Sequence, residues 1–591
     1  MQSILCSPHT SVFVMLLLYA ISFVLLVTPG VLACVPWLRR KALKPSYVPL
    51  IGFGVIALGG YLFFWVFLAS HAIGKLLSFG ALILLVLVYL DPFLRKVLFA
   101  VLSARDILIP YLLIFVIGLF YTAVAYIGYF DANVCAHDNV SFIRDRLLPT
   151  ASPDYLIQRI WVDKLFAHAS PWNIVLDPDL SRTTLADRPP VLAGIALMFF
   201  TAVPQALEHY YFMAITTVAS LSWIAAIWVI AREVKLSSAR SVLFVLALSQ
   251  TFYFYYSSIF TWPKALSGAL FIGAFCMLAL GPLLSSRRAS GTEIVIGSAF
   301  AGLSILTHNS TMLLLLPLGL LLLVPRLFPG IRASLAGAAV FALITIPYMT
   351  VKSLNDPSLS NQTKYTLSIP DTSPAEPAEY KSLSIREAIT KAYSAISLRE
   401  IVDNKLYNIA SIFRLGCFGK CDGATMIAGH WGSELLPIAG SMKLFNLGWL
   451  LFVPLFGFTA LLYGKQSPHA APDFDRSRVD TASAVCAGLA AAGLLIYALA
   501  SFRQGVSNIL SSGFMLLLFT AAGLRLFALR PLLASLFFLA QVAYFQWITV
   551  QVIAEDHRLQ LVPAMVLVYI VSVLALIALP ARLFRAAHSP S

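Results

Sequence analysis

Apolar residues run along this chain in long unbroken stretches divided by short polar breaks, not at the period of a soluble amphipathic helix. Stretches near or above the roughly 17 to 20 residues that span a bilayer lie close to 11–34, 48–70, 77–91, 107–130, 209–231, 241–260, 265–284 and 292–306. Seven more follow, near 310–325, 333–351, 444–463, 482–500, 509–524, 531–553 and 559–580. The pattern predicts an all-α polytopic membrane protein with about fifteen transmembrane helices. The first stretch lacks a basic n-region and is followed by Trp37-Leu38-Arg39-Arg40-Lys41, so it reads as a retained span.

Two segments break the pattern. One runs from 131 to 208, because the apolar run 191–203 is too short to span and reads as a helix along the membrane surface. The other, 352–443, holds 10 basic and 9 acidic residues, opens on turn-rich sequence and gains helical patterning around Ile385 to Tyr407. It is the one segment suited to a small soluble cap. No repeat of 20 to 50 residues is visible, which argues against a transporter built from repeats. The organisation expected is therefore extra N-terminal helices over 1–106, a helical core over 107–351 with its loop 131–208, the cap 352–443, and C-terminal helices over 444–591.

Composition supports lipid as the solvent, with 59% hydrophobic residues, 12% charged and a mean hydropathy of +0.85. The net charge of +14 is scattered through short loops, without the clustered face that tracking a nucleic acid needs. Counted in alternate loops, 21 Lys and Arg fall on one side against 4 in the short loops of the other. The positive-inside rule then puts the N-terminus and both long loops outside the cytoplasmic membrane and the C-terminus inside. Seven Cys show no zinc spacing, so no metal site is assigned, and Cys417 and Cys421 can pair in an oxidising compartment.

The predicted spans hold almost no charge in their interiors, with Asp91 and Glu293 at their ends, which weighs against an ion-coupled carrier. Polar residues gather at the outer rim instead. They include Asp131, Asp138, Asp154, Asp163, Asp177, Asp179 and Asp187, then Lys264 in Thr261-Trp262-Pro263-Lys264, His308 in Thr307-His308-Asn309, and Arg558 after Glu555-Asp556-His557. A carboxylate there suits a general base for an incoming hydroxyl, while Lys and Arg suit a phosphate leaving group.

The stretch Asp154 to Leu192 resembles the first external loop of the GT-C superfamily of membrane glycosyltransferases, in particular the protein O-mannosyltransferase and aminoarabinose transferase branch. The resemblance rests on Asp154, then Trp161, Leu165 and Ala167, then Arg188-Pro189-Pro190-Val191, and on Arg558 with Pro563 before a late span. It implies a GT-C-like helical bundle and an inverting transfer of a sugar from a polyprenyl-phosphate donor to a glycan, lipid or protein acceptor. It implies Asp154 as catalytic base, and Arg558 with Lys264 near the lipid phosphate, where Arg188 and His308 are further binding candidates. Tyr155 stands where such enzymes often carry a second acid, and Asp138 remains a second candidate base.

Each residue also has a plainer reading. Asp154 is a good helix N-cap, Arg188 and Arg558 can snorkel as interfacial anchors, and Lys264 can mark a helix end. His308 fits a satisfied rim histidine, Trp161 and Trp172 fit interface aromatics, and Asp177-Pro178-Asp179 fits a solvated turn. At the level of function, a polysaccharide ligase or polymerase with its key residues near His430, and a flippase of lipid-linked intermediates, stand beside the transferase.

Overall fold

The computed structural model describes residues 8–40, 43–129, 154–172, 174, 185–260, 262–355, 362–370, 380, 383–413, 475–503 and 513–529. Among these residues every regular element is a helix, and the one extended contact is an isolated bridge between Pro370 and Arg503. The first half comprises α1 (Pro8–Arg39), α2 (Val48–Ala69), α3 (His71–Leu90), α4 (Pro92–Leu102), α5 (Arg105–Tyr129), α6 (Asp154–Phe166), α7 (Val191–Leu197), α8 (Glu208–Ser220), α9 (Ser222–Glu233), α10 (Ser238–Ser249) and α11 (Phe252–Ile259). The second half comprises α12 (Lys264–Phe275), α13 (Gly291–Thr307), α14 (Met312–Leu322), α15 (Ile331–Asn355), α16 (Gln362–Ser368), α17 (Ile385–Ser394), α18 (Leu398–Phe413), α19 (Arg476–Ala500) and α20 (Gly513–Leu529).

Among the described residues eight helices are long and apolar enough to cross a membrane, and each falls on a predicted stretch. Four further stretches, those beginning at 241, 292, 310 and 509, form shorter apolar helices. The stretches 444–463, 531–553 and 559–580 lie outside the described residues. The run 241–260 breaks between α10 and α11 because polar side chains compete for its carbonyls. Ser249 donates to Leu246 O at 2.8 Å, Thr251 to Leu248 O at 2.8 Å, and the Tyr121 hydroxyl captures Ser249 O at 2.6 Å.

The charged residues at span ends are caps. Asp91 accepts from the amides of Phe93 and Leu94, with Pro92 at the first helical position. Glu293 closes a capping box with Ser290 and takes both guanidinium nitrogens of Arg287, at 2.6 and 2.5 Å.

Burial sorts the bundle into a centre and a rim. The apolar window of Gln205–Glu233 is 100% buried and that of Lys264–Leu284 94%, against 11% for His71–Leu90 and 22% for Ile331–Asn355. In water such an outer layer of Leu, Ile and Val would aggregate, whereas hydrocarbon solvates it. The described part of the molecule is thus an all-helical membrane protein with a dry centre.

Helix α7 corrects the surface-helix expectation for 191–203: all seven of its residues are buried, and it packs backbone to backbone on α2. The contact depends on two glycines. A Cβ on Gly194 would sit on the Gly60 carbonyl, and one on Gly60 would meet Ile195 N at 2.6 Å. In the cap, α17 and α18 occupy the stretch of helical patterning, and Asn408 ties α18 to the end of α19 through Ala498 O and Ser501 O at 3.0 and 2.9 Å.

Candidate functional site

Between α6 and α7 the chain crosses the apolar interior as Leu185-Ala186-Asp187-Arg188-Pro189-Pro190, a turn whose residues are all buried. Leu185–Asp187 makes one 3-10 turn, with Arg188 N donating to Leu185 O at 3.1 Å, and the two prolines bar further helix pairing, so the remaining carbonyls need other donors. Each finds one. The Trp161 indole N–H reaches Leu185 O at 3.1 Å and Arg188 O at 3.0 Å. The Tyr348 hydroxyl donates to Ala186 O at 2.8 Å, the Asn309 amide to Asp187 O at 3.0 Å, and the Gln158 amide to Pro189 O at 3.1 Å. Pro190 O takes Gly194 N at 2.8 Å as α7 begins, and the other end of Gln158 accepts from Ala193 N at 3.1 Å.

These donors come from α6, from the turn between α13 and α14, and from α15, so the turn is fixed to three separate walls. An ion pair adds a fourth constraint, with Lys352 Nζ 2.7 Å from the Asp187 carboxylate, which is 3% exposed. Asp187 therefore holds the turn to α15. Trp161 is fully buried between Phe64 and Trp172 in edge contacts at 5.4 and 5.7 Å, which corrects its reading as an interface aromatic. On the same helix Arg159 bridges Asp163 at 2.8 Å and Glu208 at 3.0 Å, tying α6 to the start of α8.

The turn delivers Arg188, 8% exposed, to the neighbourhood of His308 and Lys264. Lys264 is 3% exposed and opens α12, with its ammonium 3.7 Å from the centre of the Trp262 ring. A lysine is disfavoured at a helix N-terminus, where the backbone dipole is already positive, so helix ending does not account for it. His308 caps the end of α13, and its turn is fastened to α12 because Thr311 Oγ1 donates to His308 O at 3.0 Å and also pairs with the Ser267 hydroxyl.

Burial pushes the His308 imidazole well below the usual histidine range, and the charges of Lys264 and Arg188 push it the same way. Its Nδ1 is an acceptor, taking the Ser310 amide at 3.3 Å and lying 2.7 Å from the Ser310 hydroxyl. The neutral ring consequently carries its proton on Nε2. Two cationic side chains thus lie near a neutral imidazole that has an N–H to donate.

Three of the sequence candidates, Arg188, Lys264 and His308, are thus brought together at one end of the bundle. Asp154 is the first residue of α6, the helix that carries Gln158 and Trp161, and its side chain lies outside the described residues. Asp138 and Arg558 lie outside them too, as do Asp177, Asp179, Cys417, Cys421 and His430. Among the described residues no group of three His, Cys, Asp or Glu is placed to hold a metal ion. Sequence reading missed Gln158, Tyr348, Lys352 and Asn309. The available signal was Gln158 beside the apolar stripe Ile157, Trp161 and Leu165, three residues before the indole it works with.

Two outcomes follow from this geometry. Trp161→Phe keeps most of the packing but leaves the carbonyls at 185 and 188 without the indole donor. It is expected to cost about 1 to 3 kcal/mol, read as a lower melting temperature of the purified protein; an unchanged melting temperature would contradict the clamp. For His308 the folded protein resists a proton that the unfolded chain accepts near its ordinary value of about 6.5. Stability is therefore intact above that value and falls as pH drops below it. His308→Gln should flatten this limb of the stability–pH curve, and an equally steep limb in the variant would rule the assignment out.

Comparison of the chain with protein-family models, with curated proteins and with solved structures finds no match.

Proposed function

We propose that this protein is an integral-membrane glycosyltransferase of the GT-C type, moving a sugar from a polyprenyl-phosphate donor to an acceptor at the outer face of the cytoplasmic membrane. One observation carries the reading: buried Arg188 and Lys264 both lie near a neutral His308, and the turn that carries Arg188 is held by Gln158 and Trp161 of α6, the helix that begins with Asp154. A lipid phosphate has its anion and its tail in one molecule, and this pocket offers cations at the margin of an apolar bundle.

In the proposed reaction the acceptor hydroxyl oxygen bonds to the anomeric carbon as the bond from that carbon to the phosphate oxygen breaks. The hydroxyl proton passes to the Asp154 carboxylate, and the bonding pair leaves with the polyprenyl phosphate. Arg188 and Lys264, with Arg558, meet the charge that develops on the leaving oxygen, while the His308 Nε2–H donates to it. Attack opposite the leaving group inverts the anomeric centre. Asp138 is the alternative base.

The full chain in this proposal has about fifteen spans, its N-terminus and both long loops outside and its C-terminus inside. The distribution of charge along shared helices supports it. Helix α13 is 17 residues long, about 25 Å at 1.5 Å per residue, with Glu293 at one end and His308 following the other. Arg287 and Arg326 fall at the first end, and Arg188, Lys264 and Lys352 at the second.

Reporter fusions at residues 160 and 400 should both read external, and a cytoplasmic signal at either position excludes the topology. Activity is tested by incubating purified protein and its Asp154→Asn variant with radiolabelled polyprenyl-phosphate sugars and membrane extract. Loss of a positioned base lowers rate by about 10² to 10⁴, so the variant should be nearly silent while donor binding persists. No sugar leaving any lipid donor would sink the transferase, and full activity in the variant would sink Asp154 as base. Transfer of a preassembled glycan in place of a single sugar would mark a ligase.

A further inference from the structure

At the bundle end remote from Arg188, Lys264 and His308, three helices enclose an apolar groove of about 370 Å³. Its walls are Leu278 after α12, Ile294 of α13, Leu318 and Gly319 of α14, and Gly337 and Phe341 of α15; Ala289 and Pro329 stand at its mouth. Ser298 and Ser334 supply the only hydroxyls among its lining residues. The volume falls within the range of about 300 to 1,000 Å³ typical of small-molecule sites. Around the groove, α14 and α15 turn Leu320, Leu335 and Leu343 outward, so its opening faces the same surroundings as the apolar rim of the bundle.

The mouth is cationic. Ala289 follows Arg287 and Arg288, and Pro329 lies between Arg326 and Arg332. The two loops meet, since Arg326 Nη2 donates to Ser286 Oγ at 2.9 Å. Arg287 is committed to Glu293, but Arg288 and Arg332 are exposed and pair with no described acid. An apolar slot open to the bilayer, crowned by exposed guanidinium groups, matches a molecule with a hydrocarbon chain and an anionic head. Guanidinium groups suit phosphate because they donate in a planar fork, and basic sites between membrane helices recognise anionic head groups.

We propose that this groove binds an anionic phospholipid of the leaflet on the side of the Arg287 and Arg326 loops. One acyl chain lies between α13, α14 and α15, and the phosphate sits among Arg288, Arg326 and Arg332. The site is separate from the transferase pocket and does not depend on that reading.

The test uses the purified full-length protein in detergent, with phosphatidylglycerol and phosphatidylcholine of identical acyl chains as probes. Bound lipid is counted by native mass spectrometry, and thermal stabilisation is measured in parallel. Phosphatidylglycerol is expected to be retained and to raise the melting temperature, with phosphatidylcholine retained several-fold less. The double variant Arg326→Gln, Arg332→Gln should erase that preference. Gly319 has open space beside it, with no heavy atom within 4 Å of an added Cβ. Gly319→Phe is therefore tolerated by the fold and should lower retention of both lipids by occupying the slot. Equal retention of the two lipids by the unaltered protein overturns the proposal, as does a preference that survives the arginine changes. A dimer that dissociates in Gly319→Phe would assign the groove to a second copy and overturn it equally.

Discussion

A buried stretch that forms only a single 3-10 turn leaves most of its carbonyls to be satisfied by side chains, and the structure around Leu185 to Pro190 is arranged by that requirement. In a helix the backbone serves itself; here successive carbonyls draw on Trp161, Tyr348, Asn309 and Gln158. An unmade hydrogen bond in such an apolar setting costs more than a made one contributes. The donors are therefore not interchangeable decorations of the turn but the condition for its being buried. Because they come from separate helices, the same bonds that satisfy the turn also set where α6, α15 and the α13–α14 turn stand relative to one another.

That frame explains why cations are tolerated beside it. Arg188 is buried, and the backbone that carries it is held by Trp161 at its own carbonyl and by Gln158 at the next. Lys264 is held at a helix end where the dipole opposes it, and its ammonium lies over the face of Trp262. Burial first, and then the charges of these two cations, keep His308 neutral, while its Nδ1 accepts from the Ser310 amide. Asp187 and Lys352 form an ion pair that anchors the turn to α15.

The rest of the bundle follows lipid logic. Helices that are apolar on every side occupy the centre, and helices that turn Leu and Ile outward form the rim. Close passage at Gly60 and Gly194 brings α7 onto α2 and thereby draws the chain after Pro190 into the interior. Van der Waals contact between small residues is the force available there, because hydrocarbon gives no drive to hide one apolar surface from another.

Much of this protein was legible before any contact was known. Hydrophobicity is carried by each residue separately, so the membrane class and the positions of the eight long helices among the described residues could be read along one dimension. Proline spacing and an acid before an aromatic helix likewise marked Asp154 to Leu192 as unusual. What no single stretch contains is a partner. The bonds that hold the turn to α15 and to the α13–α14 turn join residues 122 to 165 positions apart. Only the tertiary structure could decide that Trp161 is a clamp, that Asp187 is an anchor, that 191–200 is buried in the bundle, and that Arg188 and Lys264 lie close enough to His308 to act on its charge. Local pattern specifies which solvent a residue prefers; which neighbour satisfies a buried carbonyl is settled by packing alone.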